Sequence, residues 1–557
     1  MDPLQDPDQL LQSPLSKLYE WERTRPDEVY MRQPIDGQMH TWTWREVGDE
    51  VRRMAAVLKA MNLPEGSKVA LLSKNCAHWI MADLATMMAG LTGVPMYPNL
   101  NADTVRFVLE HSEAKVLFVG KLDHWDDMEP GVPDGIRRIA FPFYGHDSYE
   151  HWDALCAEAS PVTGEPEPDP DFWSSIIYTS GTTGSPKGVI HRMRNFSFAA
   201  TFAVRHLNVG KQDRFFSYLP LSHIAERLLV EMGSLYSGGT VDFAESLETF
   251  AKNLGEAKPT VFLGVPRIWA KFQQGILAKM PQQKLNRLLR IPIISGIVKR
   301  KIRQGLGLEN ATHTFTGAAP TPAALIEWYA KLGINIQEAY AMTENCCYSH
   351  VTLPNNIQIG SVGQPLPHCE VKLAEDEEIL TRHDALMVGY YKDEEQTREV
   401  LTEDGFLRTG DTGSIDSQGF LRITGRTKDL FKTSKGKYVA PAPIELKLAA
   451  NTFVGQVLVV GDNIPQPIAL VIPSEEALSR EADEIRSSLL ATLEAVNAVL
   501  DHHEVIKRFV IMDGDWTVEN GCLTPTMKIK RRIVEKQHRE AYPGWYESSE
   551  TVVWMRG

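Results

Sequence analysis

Tyr178-Thr-Ser-Gly-Thr-Thr-Gly-Ser-Pro-Lys-Gly188 crowds hydroxyls, glycines and one lysine into a short stretch between two apolar runs. Phe172 to Tyr178 is largely apolar and Val189-Ile190-His191 resumes the pattern, so the spacing predicts a loop joining two strands. Glycines let such a loop fold tightly with its N–H groups pointing inward. The Ser and Thr hydroxyls add donors, and Lys187 adds charge, which together suit a phosphate chain. The stretch is not a Walker A loop. That motif needs GxxxxGK followed by Ser or Thr at the mouth of a helix, whereas here Gly181, Gly184 and Lys187 are evenly spaced and Gly188 follows. On its own the loop reads equally as a flexible Ser/Thr/Gly hairpin.

Around this loop, helical and strand-like runs alternate. Val51 to Met61 has helical spacing and Lys68-Val-Ala-Leu-Leu72 is a short apolar strand, a succession that predicts an α/β fold with parallel pairing. Glu158 to Asp171 is rich in Pro, Glu and Asp and reads as an exposed connector. The window Ile80 to Pro98 is the most apolar long one. It contains Asp83, Gly90, Gly93 and Pro95, which breaks it short of the roughly 20 apolar residues of a membrane span, so a buried helix and strand are expected. Pro281 to Lys301 sets basic residues beside an Ile-Pro-Ile-Ile run and reads as an amphipathic surface helix in preference to a membrane patch. Gly413-Ser-Ile-Asp-Ser-Gln-Gly-Phe-Leu-Arg-Ile reads as a β-hairpin, after which Gly425-Arg-Thr-Lys-Asp opens a new unit.

At 557 residues the chain exceeds what one hydrophobic core supports, so at least two domains are expected. The net charge of −14, with both signs interspersed, argues against nucleic acid as the main partner. The six cysteines show no CxxC spacing and read as reduced thiols, and the acidic, proline-interrupted start lacks a signal-peptide pattern. The cytoplasm is the expected compartment, with peripheral membrane contact left open.

Four further segments stand in order behind the loop: Tyr340-Ala-Met-Thr-Glu344, Arg408-Thr-Gly-Asp411, Gly425-Arg-Thr-Lys-Asp-Leu430 and Thr524-Pro-Thr-Met-Lys528. With Tyr178 to Gly188 they resemble the five signature motifs of the acyl-adenylate-forming (AMP-binding) superfamily, over essentially the whole chain. The resemblance implies a large N-terminal domain of stacked αβ subdomains plus a distorted β-barrel, residues 1–425. It also implies a small mobile α+β cap, residues 426–557.

The family's roles carry over onto matching positions. Thr179, Ser180, Gly181, Thr182, Thr183, Gly184 and Lys187 would embrace the β- and γ-phosphates of ATP, and Thr343 would donate to the α-phosphate. Glu344 would bind Mg²⁺, with Thr179 as a second metal contact. Thr316-Gly317-Ala318 and Tyr340 would frame the adenine, and Asp411 would accept the ribose hydroxyls with Arg426 near the same sugar. Lys428 would stand at the hinge and Lys432 close to the nucleotide. Lys528 would bring the substrate carboxylate and the α-phosphate together. Ser434, Lys435 and Gly436 would line a CoA channel after the cap rotates. Two departures accompany the match. Thr-Met precedes Lys528 where many members have Ser-Gly, and Glu378-Ile-Leu-Thr-Arg382-His-Asp replaces a Gly-Glu-Ile to Arg-Gly-Pro pattern.

Phe215 to Arg227 and Thr260 to Trp269 resemble the long-chain fatty acyl-CoA synthetase branch. The helix-like run Ile224 to Tyr236 would then wall an acyl tunnel, with His223 at its entrance and Leu228, Leu229 and Met232 along it. Plain core packing is the competing reading of those residues. The expected reaction is ATP-dependent conversion of a medium- to long-chain fatty acid to acyl-AMP and then to a CoA thioester. The alternatives are transfer to a carrier protein, an aromatic acid as substrate, or a nucleotide- or lipid-binding protein that kept the fold.

Overall fold

The computed structural model describes residues 10–179, 186–518, 520–524 and 527–555. Two large mixed sheets form the body. In an eight-stranded sheet, Lys68–Leu72 runs parallel between Thr92–Met96 and Val116–Val119. Buried on both faces, such strands carry the continuous apolar runs seen here. The helix Trp44–Ala60 opens with a reciprocal capping box between Thr43 and Glu46, and Ala77–Met88 is buried along its whole length. The window Ile80 to Pro98 is thus a helix and a strand, as expected. No helix among the described residues is long and apolar enough to cross a membrane.

Trp173–Thr179 and Lys187–Arg192 are antiparallel neighbours at one side of this sheet, with Tyr178 opposite Gly188 and Thr179 opposite Lys187. The two strands thus pair as the arms of a β-hairpin. Gly188 is required for the close approach: a Cβ there would fall 2.8 Å from Ile176 Cγ2. Ser180, Gly181, Thr182, Thr183 and Gly184 lie outside the described residues.

The second large sheet is nine-stranded. Its strands Arg214–Ser217, Val261–Leu263, His313–Thr316 and Ile336–Tyr340 are parallel neighbours, and the last two deliver Thr316 and Tyr340 to the same sheet edge. A smaller antiparallel sheet of Glu370–Leu373, Glu378–Arg382, Leu407–Ile415 and Leu421–Arg426 has four strands and contains the expected hairpin. Beyond it, Val454–Val460, Ile468–Pro473, Phe509–Ile511 and Val552–Trp554 form a separate four-stranded sheet. One of its faces packs Val457, Val459 and Val471 with the helices Pro441–Leu448 and Ala482–Asn497.

Two local expectations need correction. The run Ile224 to Tyr236 is not one regular helix. Ile224–Glu226 is α-helical, Arg227–Met232 is a π-helical segment, and Gly233–Ser237 returns to α. Its wider turn coincides with a buried cation: Arg227 lies beside the Trp79 and Phe196 rings and donates to Asp83 at 2.5 Å and to Ser175 at 2.6 Å. Pro281 to Lys301 is likewise two helices, Gln282–Leu289 and Pro292–Gly305, because Pro292 suits only a helix start. Ile293, Ile294 and Ile297 of the second helix face outward. Only Leu285 and Val298 of the pair are buried, whereas Ile293 is 80 % exposed.

Candidate active site

Asp411 is buried on Leu407–Ile415 directly opposite Arg426, the last residue of Leu421–Arg426. Arg426 Nε donates to Asp411 Oδ1 at 2.7 Å and the Tyr340 phenol donates to Oδ2 at 2.8 Å. Burial, reinforced by the Asp411 charge, pushes the Tyr340 phenol well above its ordinary range and keeps it a donor. The turn before Asp411 is braced from below by Glu378. This carboxylate accepts from Gly410 N at 2.9 Å and Arg408 Nη1 at 2.8 Å. This bracing role belongs to Glu378, a position at which the segment keeps the glutamate of the commoner Gly-Glu-Ile pattern.

Thr343 and Glu344 sit on the 3₁₀ turn Thr343–Asn345, just past the end of Ile336–Tyr340. Two residues that the motifs do not mark hold this turn. His191, buried with its pKa pushed down to about 4 chiefly by desolvation, is neutral and donates from Nε2 to the Thr343 carbonyl at 2.8 Å. Tyr390 Oη donates to Glu344 Oε1 at 2.8 Å, while Met387 N donates to the Glu344 carbonyl at 2.8 Å. Lys187 Nζ lies 5.1 Å from the centre of the Tyr390 ring, so one tyrosine touches both the metal-ligand candidate and the phosphate-loop lysine.

Glu344 Oε2 has no hydrogen-bond partner among the described residues. A single available carboxylate fits Mg²⁺, which takes one or two protein carboxylates and fills the rest of its octahedron with phosphate and water oxygens. Among the described residues no group of three or more His, Cys, Asp or Glu could hold a metal by itself. Thr179, opposite Lys187 at the end of its strand, stands beside the phosphate loop.

Lys528 reaches this site from the C-terminal part. A tight turn presents it: Thr524 N donates to the Lys528 carbonyl at 2.8 Å, Lys528 N donates to Thr524 Oγ1 at 3.0 Å, and Leu523 bridges Ile529. Met527 occupies the left-handed region at φ +62°, where glycine is at ease. The Thr-Met departure therefore places a bulky residue at a glycine-favouring position. Lys528 is exposed overall, and its ammonium stands near enough to Arg426, Asp411 and Glu344 for their charges to act on it. Burial, with Arg426, lowers its pKa, and Asp411 and Glu344 oppose that shift. Burial and the Lys528 charge in turn push His223 down to about 4.

Of the residues expected to frame adenine, Thr316 is buried with its hydroxyl 2.8 Å from that of Thr321. Gly317 leaves a Cβ position only 3.0 Å from the Ala339 carbonyl, and Ala318 has φ +64°. His223 caps Ile224–Glu226, its Nδ1 accepting from Ala225 N at 3.2 Å. Leu228 and Met232 are buried in the main core with Leu229 packed against it. Lys428, Lys432, Ser434, Lys435 and Gly436 are exposed. Lys432 Nζ stands 5.6 Å from the Tyr438 ring centre, and Ser434 to Gly436 form the turn between Phe431–Lys432 and Tyr438–Val439. None of these five touches the Asp411 cluster among the described residues.

Residues 18–391 match the family described as AMP-binding enzyme, and residues 428–550 match the AMP-binding enzyme C-terminal domain. The chain is 30 % identical to the long-chain-fatty-acid–CoA ligase FadD15 of Mycobacterium bovis, over 93 % of this chain and 94 % of the relative. It is 29 % identical to the peroxisomal long chain acyl-CoA synthetase 6 of Arabidopsis thaliana, over 92 % of this chain and 83 % of the relative. The fold is that of the anthranilate CoA ligase AuaEII crystallised with anthranoyl-AMP, with a TM-score of 0.80 at 20 % identity, covering 97 % of this chain and 100 % of that one. With the motif residues gathered about Asp411 and the family match spanning both parts, the chain belongs to the AMP-binding enzymes.

Proposed function

We propose that this protein is an ATP-dependent carboxylate:CoA ligase that activates a medium- to long-chain fatty acid through an enzyme-bound acyl-AMP. The observation that supports the reading is the pairing of Tyr340 and Arg426 on the Asp411 carboxylate, which joins the second, third and hinge motifs, with the Lys528 charge acting on the same carboxylate. In the first half-reaction a carboxylate oxygen attacks the α-phosphorus and the bond to the β-phosphate oxygen breaks, releasing pyrophosphate. Lys528 offsets the repulsion between the two anions, Thr343 donates to the α-phosphate, and Lys187 with the loop before it holds the departing phosphates. Tyr340 and Arg426 fix the carboxylate of Asp411 to receive the ribose hydroxyls. Mg²⁺, held by Glu344 and the nucleotide, would neutralise phosphate charge.

In the second half-reaction the CoA sulfur attacks the acyl carbon and AMP leaves with the bonding pair. Lys528 has no part in that step. The unit from residue 426 onward would rotate about Lys428, withdrawing Lys528 and bringing Ser434, Lys435 and Gly436 to the thioester channel. Their exposed position on a turn outside the present cluster is compatible with a surface reserved for the other pose. The names of the fatty-acid–CoA ligases to which the chain is similar support the choice of acid. The test is a series of straight-chain and aromatic carboxylic acids offered with ATP and either CoA or a carrier protein. AMP and thioester formed together, with CoA and with the longer chains, is the expected result. Preference for an aromatic acid, or thioester on the carrier alone, contradicts it.

A further inference from the structure

We infer that the helix pair Gln282–Leu289 and Pro292–Gly305 is an interfacial anchor that seats the protein on an anionic phospholipid bilayer. From Lys258 to Leu308 the sequence contains eleven lysines and arginines and no aspartate or glutamate, in a chain whose net charge is −14. So long a one-signed interval in an acidic protein makes a local positive field. Lys284, Arg287, Arg290, Arg300 and Lys301 are exposed, and none makes an ion pair among the described residues. The cations are not used to hold the fold together.

The apolar side chains between them face the same way. At about 100° per residue, Ile293, Ile294 and Ile297 occupy one sector of their helix, and Arg300 and Lys301 return to that sector a turn later. Val298 and Ile302 lie on another side and pack toward the body. The exposures are 80 % for Ile293, 44 % for Ile297 and 36 % for Ile294, with Ile291 at 46 % beside them. A contiguous patch of β-branched aliphatic side chains marks an interaction surface.

Charge complementarity selects the occupant. Isoleucines at the centre and cations at the margin match the acyl boundary and the phosphate layer of a bilayer, with the Lys and Arg stems reaching up to the headgroups. A polyanion such as nucleic acid would engage the cations but offers no apolar phase for the isoleucines. Pro292–Gly305, at 14 residues, is too short to span a bilayer, so it lies in the interface plane. This inference rests on charge and exposure and does not depend on which acid the enzyme activates.

The test is flotation of the full-length protein with vesicles of pure phosphatidylcholine and with vesicles carrying about 30 % phosphatidylglycerol. The protein floats with the anionic vesicles and not with the neutral ones, and raised salt weakens the binding. Arg300→Glu with Lys301→Glu lowers partitioning at least about tenfold through charge. Ile293→Ser with Ile297→Ser lowers it by a similar factor at unchanged net charge. Because all four side chains are exposed, both variants keep the wild-type melting temperature, and their loss of binding is not a loss of fold. Absence of flotation by the wild type overturns the inference, as does equal flotation by either variant. So does retention on DNA that the isoleucine variant shares with the wild type while neither binds vesicles.

Discussion

The Tyr340 phenol donates to Asp411 Oδ2 across 2.8 Å, although 71 residues separate the two in sequence. This bond ties the end of a parallel strand in the large sheet to the small antiparallel sheet, and thereby the second motif to the third. Phe in place of Tyr340 keeps the ring and removes the bond. A hydrogen bond to a charged group contributes about 1.5–3 kcal/mol, so Tyr340→Phe is expected to raise the KM for ATP about tenfold with a smaller change in kcat. Steady-state kinetics at saturating acid and CoA check it.

Tyr390 acts through Glu344 and is a positioning residue. Tyr390→Phe leaves a ring for Lys187 and removes the donor to Glu344 Oε1. The expected outcome is a loss of about tenfold in kcat/KM together with a raised Mg²⁺ requirement, which added Mg²⁺ partly restores. A purely structural role would lower the melting temperature without moving the Mg²⁺ titration.

Glu226 is buried, accepting from Tyr218 N at 2.9 Å, and burial lifts its carboxyl from 4.5 to about 8. Between those two values the folded protein holds a proton that the unfolded chain has released. The contribution of Glu226 to stability is therefore full below pH 4.5 and is lost as pH rises toward 8. Glu226→Gln copies the protonated acid and removes that slope. Denaturant unfolding across pH should show near parity with wild type around pH 5 and a variant more stable by a few kcal/mol at pH 8.

Met527 holds φ +62° next to Lys528. A non-glycine residue in that region costs about 1–2 kcal/mol, and the extra freedom of glycine in the unfolded chain returns about 0.4–1 kcal/mol of that. Met527→Gly is thus expected to stabilise the C-terminal part by about 0.5–1 kcal/mol, read by urea unfolding.

Local pattern was enough for what local pattern controls. Apolar runs on both sides of Tyr178 to Gly188 mark the strands of its hairpin, and the stretch from Gly413 marks another. The motif residues Asp411, Arg426, Glu344 and Lys528 are legible because their neighbours repeat a known order; in the structure Arg426 binds Asp411, and the charges of Arg426, Asp411 and Glu344 act on Lys528. Tyr390 and His191 are not legible. Each acts on the Thr343–Glu344 turn from a distant strand, and nothing in Gly389-Tyr390-Tyr391 or Val189-Ile190-His191 distinguishes a positioning side chain from a core one. Periodicity likewise groups Ile293 with Ile297 and Val298 with Ile302, but both groups are apolar. Which one meets the body is decided by the helices packed behind it. The π-helical segment at Arg227 coincides with a buried ion pair to Asp83, a partner 144 residues away that no local pattern marks.

Lys528 is assigned to the first half-reaction alone. The direct measurement is Lys528→Ala assayed separately for ATP–pyrophosphate exchange with a long-chain acid and for thioester formation from supplied acyl-AMP and CoA. The account predicts exchange lowered by at least about a hundredfold with the second step nearly unchanged. Equal loss of both steps, or exchange at the wild-type rate, would contradict it.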